Sequence, residues 1–377
     1  MKRIFLSTAQ GKYPILIGQG LISRVGMLAK EYGRLRSAAK VLIVTNRQVA
    51  QHYLSVVKKS FEKIASNVFH FVLPFGDERD KSEPVLKRLW ERMAVTGLER
   101  TSIAVALGGG VVGDLTGFAA STYMRGIPLV QVPTTLLAQV DSAIGGKTGI
   151  DLKFAKNMIG SFYQPRLVVS DVLTSVTLAS ENFVNSFAEV IKYGMIWDKT
   201  LFQSLERRAA LLVASHRRSG LSENDFLFLE DIVYRSASAK AKVVSQDVFE
   251  TQGIRMILNY GHTFGHALET ASKYQLSHGE AVALGMVFAA RLARRLGMLS
   301  EEDEKRQREL IKKVGLPTQF QNQKISSTSL IQLMKRDKKV RNGELRFVLP
   351  ESIGHVLVRE GISEEEIKKT LLDLRKN

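Results

Sequence analysis

The sequence predicts an α/β domain followed by a mainly helical domain, and three observations support this fold class. In the first half, short apolar runs alternate with helical patterns, which is the order that gives a parallel sheet with helices on both faces. From about residue 181 to residue 315, a 3.6-residue periodicity dominates. A chain of 377 residues also favours two domains over one. We expect a Rossmann-like α/β domain at 1–175, a mostly α-helical domain at 176–377, and ligands in the cleft between them.

The predicted elements follow one another in a regular order along the chain. The N-terminus alternates apolar and polar residues around a Gly-Lys turn, which predicts two short strands rather than a signal peptide. Further strands are predicted at 41–46, 68–75 and 102–110, a strand and then a turn at 128–139, and helices at 47–60, 82–97 and 114–122. Near the end, 344–350 and 355–360 predict a hairpin, and a last helix starts with Ser363 as its N-cap.

Composition excludes several classes of protein. Apolar residues make up 45% and charged residues 24% of the chain, as in folded proteins and unlike disordered ones. The absence of cysteine excludes disulfides, Cys-ligated zinc and a thiol nucleophile, and it agrees with a cytoplasmic location. No window holds about 18 uncharged apolar residues, so we expect no membrane span.

The net charge of +17 points to anionic ligands. Nucleic acid, a membrane surface and small anions are the candidates. The sequence carries no helix-turn-helix, RNA-binding or zinc-finger motif, and its basic residues are dispersed. We therefore favour small anionic ligands and expect neither nucleic acid nor membrane as a partner.

The predicted strand at 102–110 runs directly into a glycine-rich loop. Gly108, Gly110 and Gly113 satisfy the pattern G-x-G-x-x-G. Glycines here let the backbone approach a diphosphate, whose charge meets the N-terminus of a helix. The alternative is a tight strand–helix turn that needs glycine for steric reasons. The loop follows a later strand than in the usual dinucleotide fingerprint, so an ordinary Rossmann dehydrogenase is a poor match.

A second polar cluster, residues 76–81, directly follows the predicted strand at 68–75. At the end of a parallel strand, acids can meet ribose hydroxyls and lysines can meet phosphates. The alternative for this cluster is a solvated loop.

Three of the seven histidines, His262, His266 and His278, lie within 17 residues. His262 and His266 are one helical turn apart and therefore share a face. In a chain without cysteine, two histidines and one carboxylate with an open water position would suit catalytic zinc. Helix-capping or core histidines are the alternative. Spacing alone pairs His262 with His266 and leaves the carboxylate open among Glu189, Glu269 and Glu280.

Several motifs together resemble one family, the 3-dehydroquinate synthases. They occur in the order that the family has: LGGGVVGDLTGFAAS (107–121), YMRGIPLVQVPTTLLAQVDSAIGGKTGID (123–151), KNMIGSFYQP (156–165), AEVIKYGM (188–195), LNYGHTFGHALE (258–269) and HGEAVALGM (278–286). The resemblance implies a dehydroquinate synthase-like fold. It also implies conversion of 3-deoxy-D-arabino-heptulosonate 7-phosphate (DAHP) to 3-dehydroquinate and phosphate, on the route to aromatic amino acids. NAD would oxidise C5 transiently, phosphate would leave, the ketone would be reduced again, and the ring would open and close by an aldol step.

The resemblance also implies roles for individual residues. The metal, zinc or cobalt, would be bound by Glu189, His262 and His278, which replaces the His262–His266 pairing, and His266 would contact substrate and transfer protons. The remaining substrate matches are Asp141, Lys147, Lys192, Lys240, Arg255, Asn259 and a lysine of the 337–339 stretch, for which we favour Lys338. Arg125 matches a residue that reaches the neighbouring subunit's site, which implies a homodimer. The NAD matches are Asp77, Glu78, Lys81, Gly110, Val111, Val112, Gly113, Asp114, Thr134, Thr135, Lys147, Lys156, Asn157, and the stretch from Thr174 to Thr177.

Two rival enzymes share this fold. A sister sugar-phosphate cyclase would act on a neutral sugar phosphate, but this chain keeps both Lys240 and Arg255, where the family holds the substrate carboxylate. A metal-dependent polyol dehydrogenase would release NADH, whereas the cyclase returns the hydride.

Overall fold

The structure is a computed structural model, and it describes residues 1–8, 11–33, 35, 40–153, 155–218, 220–273, 275–320, 325–335 and 345–376. The strands are β1 Lys2–Thr8, β2 Gly11–Gly18, β3 Val41–Asn46, β4 Val68–Leu73, β5 Ile103–Gly108, β6 Leu129–Pro133, β7 Lys147–Leu152, β8 Ala155–Phe162, β9 Leu167–Asp171, β10 Phe347–Ser352 and β11 His355–Arg359. The helices are α1 Val25–Glu31, α2 Arg47–Val49, α3 Ser55–Glu62, α4 Glu83–Val95, α5 Gly110–Thr122, α6 Ser180–Ile196, α7 Lys199–Arg217, α8 Glu223–Gln246, α9 His262–Ala271, α10 His278–Arg295, α11 Glu301–Lys313, α12 Ser327–Lys335 and α13 Glu364–Lys376. None of the described helices is both long and apolar enough to cross a membrane.

The chain divides into two compact units. Unit 1 comprises Met1–Leu178 and Ser222–Phe249, and unit 2 comprises Ala179–Leu221 and Glu250–Asn377. The expected second domain at 176–377 therefore needs a correction, because Ser222–Phe249 groups with unit 1. The reason is packing: α8, which occupies most of that segment, lies against β1.

A mostly parallel sheet forms the centre of unit 1. Among the described residues it has seven strands in the order β1-β2-β9-β6-β5-β3-β4, and only the β1–β2 pair is antiparallel. Successive residues of β3 belong to two apolar cores, with Val41 and Ile43 in one and Leu42 and Val44 in the other. Both faces are thus covered, as parallel sheets require, and the prediction of an α/β first domain is confirmed.

The sequence missed two parts of this unit. Strand β9 pairs with both β2 and β6 in the middle of the sheet, yet its five residues lie shortly before the expected domain boundary, in a stretch for which no strand was predicted. The antiparallel hairpin β7–β8 was also missed, because its second strand is largely exposed and lacks an apolar alternation.

Unit 2 is built around α10, whose side chains are buried over most of its length. Helices α6, α9, α11 and α13 and strand β10 pack on it. The predicted C-terminal hairpin is confirmed as the antiparallel pair β10–β11, and Ser363 Oγ accepts from the Glu366 N–H at the start of α13, as the predicted N-cap requires.

Candidate active site and metal centre

Three side chains from three helices meet inside unit 2. Glu189 lies in the middle of α6, His262 is the first residue of α9, and His278 is the first residue of α10. Their ligand atoms all lie within 4.8 Å of one another. His266 does not belong to this group, so the His262–His266 pairing is wrong. A one-turn spacing on one helix brings those two rings to a centroid distance of 5.4 Å, but the set that converges spans three helices.

Glycines allow these helices to approach closely. A Cβ on Gly279 of α10 would lie 2.3 Å from the carbonyl oxygen of Asn185 in α6. A Cβ on Gly285 would lie 1.8 Å from the carbonyl oxygen of Gly261, the residue before α9. Both obstacles are backbone atoms, which have no rotamer to change, so these helix contacts depend on glycine.

The spacing of the ligand atoms fits one divalent metal ion. Glu189 Oε1 lies 3.3 Å from His262 Nε2 and 3.5 Å from His278 Nε2. Two ligand atoms each about 2.1 Å from a tetrahedral ion are about 3.4 Å apart. Both carboxylate oxygens of Glu189 are buried, and neither accepts a hydrogen bond of ordinary geometry from the described part of the chain. Two imidazoles and one carboxylate are a ligand set of catalytic zinc sites.

Opposite charges around Glu189 determine its ionisation. Burial raises the pKa of this carboxyl, but the Lys192 ammonium and the neighbouring imidazoles outweigh burial, and the pKa lies well below its ordinary value. Burial lowers the pKa of His262 to about 4, so this imidazole is neutral at physiological pH. Burial also lowers the pKa of His278, but Glu189 and Glu269 outweigh it and raise this pKa to about 10. A proton on His278 thus compensates the carboxylate, and a divalent cation can take the place of that proton.

Four of the expected substrate residues also lie in unit 2. Lys192 is buried and forms an ion pair with Glu189 one helical turn before it. The ring centroid of His266 is 6.4 Å from that of His278. Arg255, only 2% exposed, and Asn259 belong to one 3₁₀ segment, Ile254–Asn259.

The sequence missed a partner of Arg255. Arg255 Nε lies 3.4 Å from Oε1 of Glu250, whose φ is +58°. Glu250 lies five residues before Arg255, and this short distance between opposite charges in the sequence is the signal that could have drawn attention to it.

In unit 1, most of the expected NAD residues follow the carboxyl ends of parallel strands. They come after β4, β5, β6 and β9, and these ends share one edge of the sheet because the strands are parallel. Open α/β sheets bind ligands at this edge. Lys147, Lys156 and Asn157 lie instead in the hairpin β7–β8.

Lys81 is the centre of the cluster after β4. Its ammonium lies 3.0 Å from Asp114 Oδ2 and 3.4 Å from Glu78 Oε1, and it also donates to Asn157 Oδ1. Burial lowers the pKa of Lys81, but Asp114 and Glu78 outweigh it and raise this pKa. Asp151, which the sequence did not single out, lies 4.0 Å away.

Two further expected residues frame this cluster. Lys156 lies 3.9 Å from Glu78. Asp77 caps the following 3₁₀ turn and pairs with Arg79. The alternative of a merely solvated loop does not describe this segment, because Lys81 is buried.

The glycines of the glycine-rich loop are needed for steric reasons, in addition to any role in binding a ligand. A Cβ on Gly108 would lie 2.6 Å from Val112 Cγ2, and one on Gly113 would lie 3.0 Å from Gln131 Oε1. Helix α5 begins at Gly110, four residues earlier than predicted. Val111 lies in its first turn, and the side chain of Val112 belongs to the core, so Val112 offers a ligand its backbone only.

Polar atoms without partners lie beside this loop. Thr134 Oγ1 and Ser142 Oγ are buried and have no hydrogen-bond partner among the described residues. Thr134 follows β6 and donates its N–H to the Gly108 carbonyl. A Cβ on Gly110 would lie 3.1 Å from Ser142 Oγ. Unsatisfied hydroxyls at a strand end fit a polar ligand such as a dinucleotide.

Thr135, Thr174 and Thr177 already have partners. Thr135 Oγ1 accepts from the Ala138 N–H. Thr174 is buried and accepts from the Gln139 amide, and Thr177 bonds the Tyr53 hydroxyl at 2.7 Å.

Unit 1 also contains expected substrate residues, and one of them, Lys240, is close enough to Asp114 for its charge to act on the pKa of that carboxyl. Lys240 of α8 lies 2.9 Å from Asp141 Oδ1 and donates to the Asp141 carbonyl at 2.7 Å. Lys147 is exposed at the start of β7. Arg125 is exposed in a turn with a φ of +63°. Lys338 lies outside the described residues.

Solved structures that are similar to this chain over nearly its whole length place its fold in the class of dehydroquinate synthase-like cyclases. The structure of 2-epi-5-epi-valiolone synthase from Streptomyces hygroscopicus, with NAD⁺ and Zn²⁺ bound, is similar at 26% identity and a TM-score of 0.84 over 96% of both chains. The structure of 2-deoxy-scyllo-inosose synthase, complexed with carbaglucose-6-phosphate, NAD⁺ and Co²⁺, is similar at 26% identity and a TM-score of 0.83 over 99% of both chains.

Sequence comparison identifies the family within this class. Residues 70–185 match the 3-dehydroquinate synthase N-terminal family, and residues 186–340 match the 3-dehydroquinate synthase C-terminal family. A 3-dehydroquinate synthase from Crocosphaera subtropica is 42% identical over 373 residues, which is 99% of each chain. The chain belongs to the 3-dehydroquinate synthase family.

Proposed function

We propose that this chain is a 3-dehydroquinate synthase, a carbon–oxygen lyase that converts DAHP to 3-dehydroquinate and phosphate. The observation that carries the proposal is the convergence of Glu189, His262 and His278 in a member of that family. Its cofactors would be NAD and one divalent metal ion, which are also present in the structures of the two related synthases.

Glu189, His262 and His278 would hold the metal. When bound, the metal would polarise the C5 oxygen as a Lewis acid, and NAD would accept and return the C5 hydride. The chain's own residues prepare this site: Lys192 keeps Glu189 ionised, and burial keeps His262 neutral.

The edge of the sheet in unit 1 would hold NAD. The N-terminus of α5 would face the diphosphate, because its first N–H groups and helix dipole attract anions. The hydroxyls of Thr134 and Ser142 would donate to the dinucleotide. Glu78 and Asp114, the acids around Lys81, would accept hydrogen bonds from ribose hydroxyls. The rest of the NAD site would be formed by Asp77, Lys156, Asn157, Thr174 and Thr177.

The substrate's phosphate and carboxylate would be bound by cations. Lys192 and Arg255 are buried beside the carboxylates of Glu189 and Glu250, and the substrate's anionic groups would add to the compensation of these buried charges. His266, whose ring is next to that of His262, would hold and move a proton at a ring nitrogen. Asp141, Lys147, Lys240, Asn259 and Lys338 would make the remaining substrate contacts.

We further propose a cytoplasmic homodimer in which Arg125 acts on the neighbouring subunit's substrate. Two consecutive residues with positive φ, Met124 and Arg125, support a specialised role for this turn, because such strain in non-glycine residues persists mainly where function requires it.

The test is phosphate release from DAHP with catalytic amounts of NAD, with and without a metal chelator. We expect steady phosphate release without net NADH, and loss of activity with the chelator that added Zn²⁺ or Co²⁺ restores. Turnover of a neutral sugar phosphate with none of DAHP would identify a sister cyclase. Stoichiometric NADH accumulation would identify a polyol dehydrogenase.

A further inference from the structure

Three glutamates lie near the histidines in sequence or in space, and the structure gives each of them a different partner. The sequence left the metal-binding carboxylate open among Glu189, Glu269 and Glu280. Glu189 faces the Nε2 atoms of both His262 and His278. The other two carboxylates contact different parts of the start of α10.

Glu280 caps the start of α10 rather than contacting the imidazole of His278. Its Oε2 accepts from the Ser277 N–H at 2.9 Å and from the Ser277 hydroxyl at 2.7 Å, while Ser277 Oγ accepts from the Glu280 N–H. This reciprocal arrangement is a capping box. Glu280 therefore fixes where α10 begins.

Glu269 contacts the imidazole of His278 on the side opposite to Glu189. It lies about two turns after His262 on α9 and thus on the same helix face. Its Oε1 is 3.3 Å from His278 Nδ1, while Nε2 of the same ring faces Glu189 at 3.5 Å. The side chain of Glu269 is 14% exposed. The ring of His278 is thus held between two carboxylates from two other helices.

The contact determines which ring nitrogen can bind a metal. A neutral imidazole carries one N–H, and a carboxylate beside Nδ1 favours the proton there, which leaves the Nε2 lone pair free. His262 has the same arrangement with a weaker acceptor, because its Nδ1 lies 3.1 Å from the Tyr260 carbonyl oxygen. Both rings therefore present Nε2 to Glu189. Of the two, His278 has a charged acceptor, Glu269, beside its Nδ1 atom, whereas His262 has a backbone carbonyl there.

We propose that Glu269 is a positioning residue of the metal centre, which fixes the tautomer and orientation of His278 without binding the metal itself. Its place on the Nδ1 side agrees with the composition of the ligand group, which does not include it. The proposal rests on the metal site of the proposed function and adds a residue to it.

The experiment measures metal binding to the full chain after removal of metal by a chelator. Zn²⁺ affinity is measured by competition with a chromophoric chelator, and the visible spectrum of the Co²⁺-loaded protein reports ligand geometry. The variants are Glu269→Ala, Glu269→Gln and the matched control Glu280→Gln, and the metal-free Tm of each shows that it folds. Glutamine keeps a capping box, so the control changes a neighbouring carboxylate without removing the cap.

We expect the Zn²⁺ dissociation constant to rise about 100-fold in Glu269→Ala and about tenfold in Glu269→Gln, which keeps an acceptor oxygen but loses the charge. The Co²⁺ spectrum should change in both, and Glu280→Gln should keep the affinity of the unmodified protein. A folded Glu269→Ala protein with unchanged affinity and spectrum would overturn the proposal. If that variant does not fold, unchanged affinity in Glu269→Gln would overturn it instead. If the unmodified chain binds neither metal, the metal site of the proposed function fails as well.

Discussion

Each unit buries an ionised side chain among groups of opposite charge, but the two arrangements differ. In unit 1, Lys81 is surrounded by acids in a 3₁₀ turn, near the start of α5 and in β7, and these acids keep part of their surface exposed. In unit 2, Glu189 is almost completely buried within α6 and faces two histidines at the starts of two other helices.

The balance of burial and charge differs accordingly. Burial raises the pKa of Asp114 beside Lys81, and Lys81 does not fully offset that effect. At Glu189 the surrounding cations outweigh burial and lower the pKa. Asp114 of unit 1 can therefore lose its charge at little cost, whereas the unit 2 site depends on the charge of Glu189. We infer that unit 1 adapts to a ligand, while unit 2 is preorganised for a cation.

Removing a proposed metal ligand should have the largest effect. In His278→Ala we expect turnover to fall by about 10³-fold or more, because Lewis-acid stabilisation is worth several kcal/mol. The fold should persist, since the His278 side chain is 39% exposed. Turnover and bound metal are measured together. The matched control is His355→Ala, an exposed histidine of the same unit, which should keep both, and full activity in His278→Ala would refute the metal assignment.

Neutralising one carboxylate in each unit tests the comparison directly. In metal-free protein, Glu189→Gln should lower the free energy of unfolding by about 3–5 kcal/mol, because it leaves Lys192 buried without this charge. Asp114→Asn should cost less than about 1 kcal/mol, because burial already disfavours that carboxylate and Lys81 keeps Glu78 and Asp151. Urea unfolding of both variants gives the two values, and equal losses would contradict the distinction.

The sequence predicted the strand-and-helix order of unit 1 and the hairpin of unit 2, because both have apolar patterns of the right period. It missed β9, whose short apolar run carries no sign that two other strands pair with it. It also missed that α8 packs on β1, since a helix's own pattern marks a buried face but not its partner.

The same limit applies to the candidate site. One-turn spacing paired His262 with His266, because spacing describes a single helix. The observed set depends on how three helices meet, and the close contacts at Gly279 and Gly285 that bring them together are not visible as a spacing. Only the resemblance of whole motifs to the family named Glu189, His262 and His278.

Adding a methyl group at a helix crossing should have a smaller effect than removing the charge of Glu189. Gly279→Ala places a Cβ against the Asn185 carbonyl oxygen, so we expect a loss of about 1–3 kcal/mol and weaker Zn²⁺ binding, because α6 and α10 must separate. Gly220→Ala is the control, since its Cβ would be 3.8 Å from the nearest such atom. Denaturant unfolding and metal competition measure both effects, and identical behaviour of the two variants would argue against preorganisation by close packing.

The smallest change in stability is expected in the glycine loop of unit 1. In Gly110→Ala the new Cβ would meet only the side chain of Ser142, at 3.1 Å, and alanine favours the helix that begins there. The free energy of unfolding should therefore change by less than about 1 kcal/mol. NAD affinity should nevertheless fall about tenfold, which is about 1.4 kcal/mol, because the methyl group would occupy space where the backbone meets the diphosphate. Titration with NAD and urea unfolding separate the two effects. An unchanged NAD dissociation constant would mean that this glycine is needed only for packing. The NAD site of unit 1 would then have to lie elsewhere along the carboxyl ends of the strands.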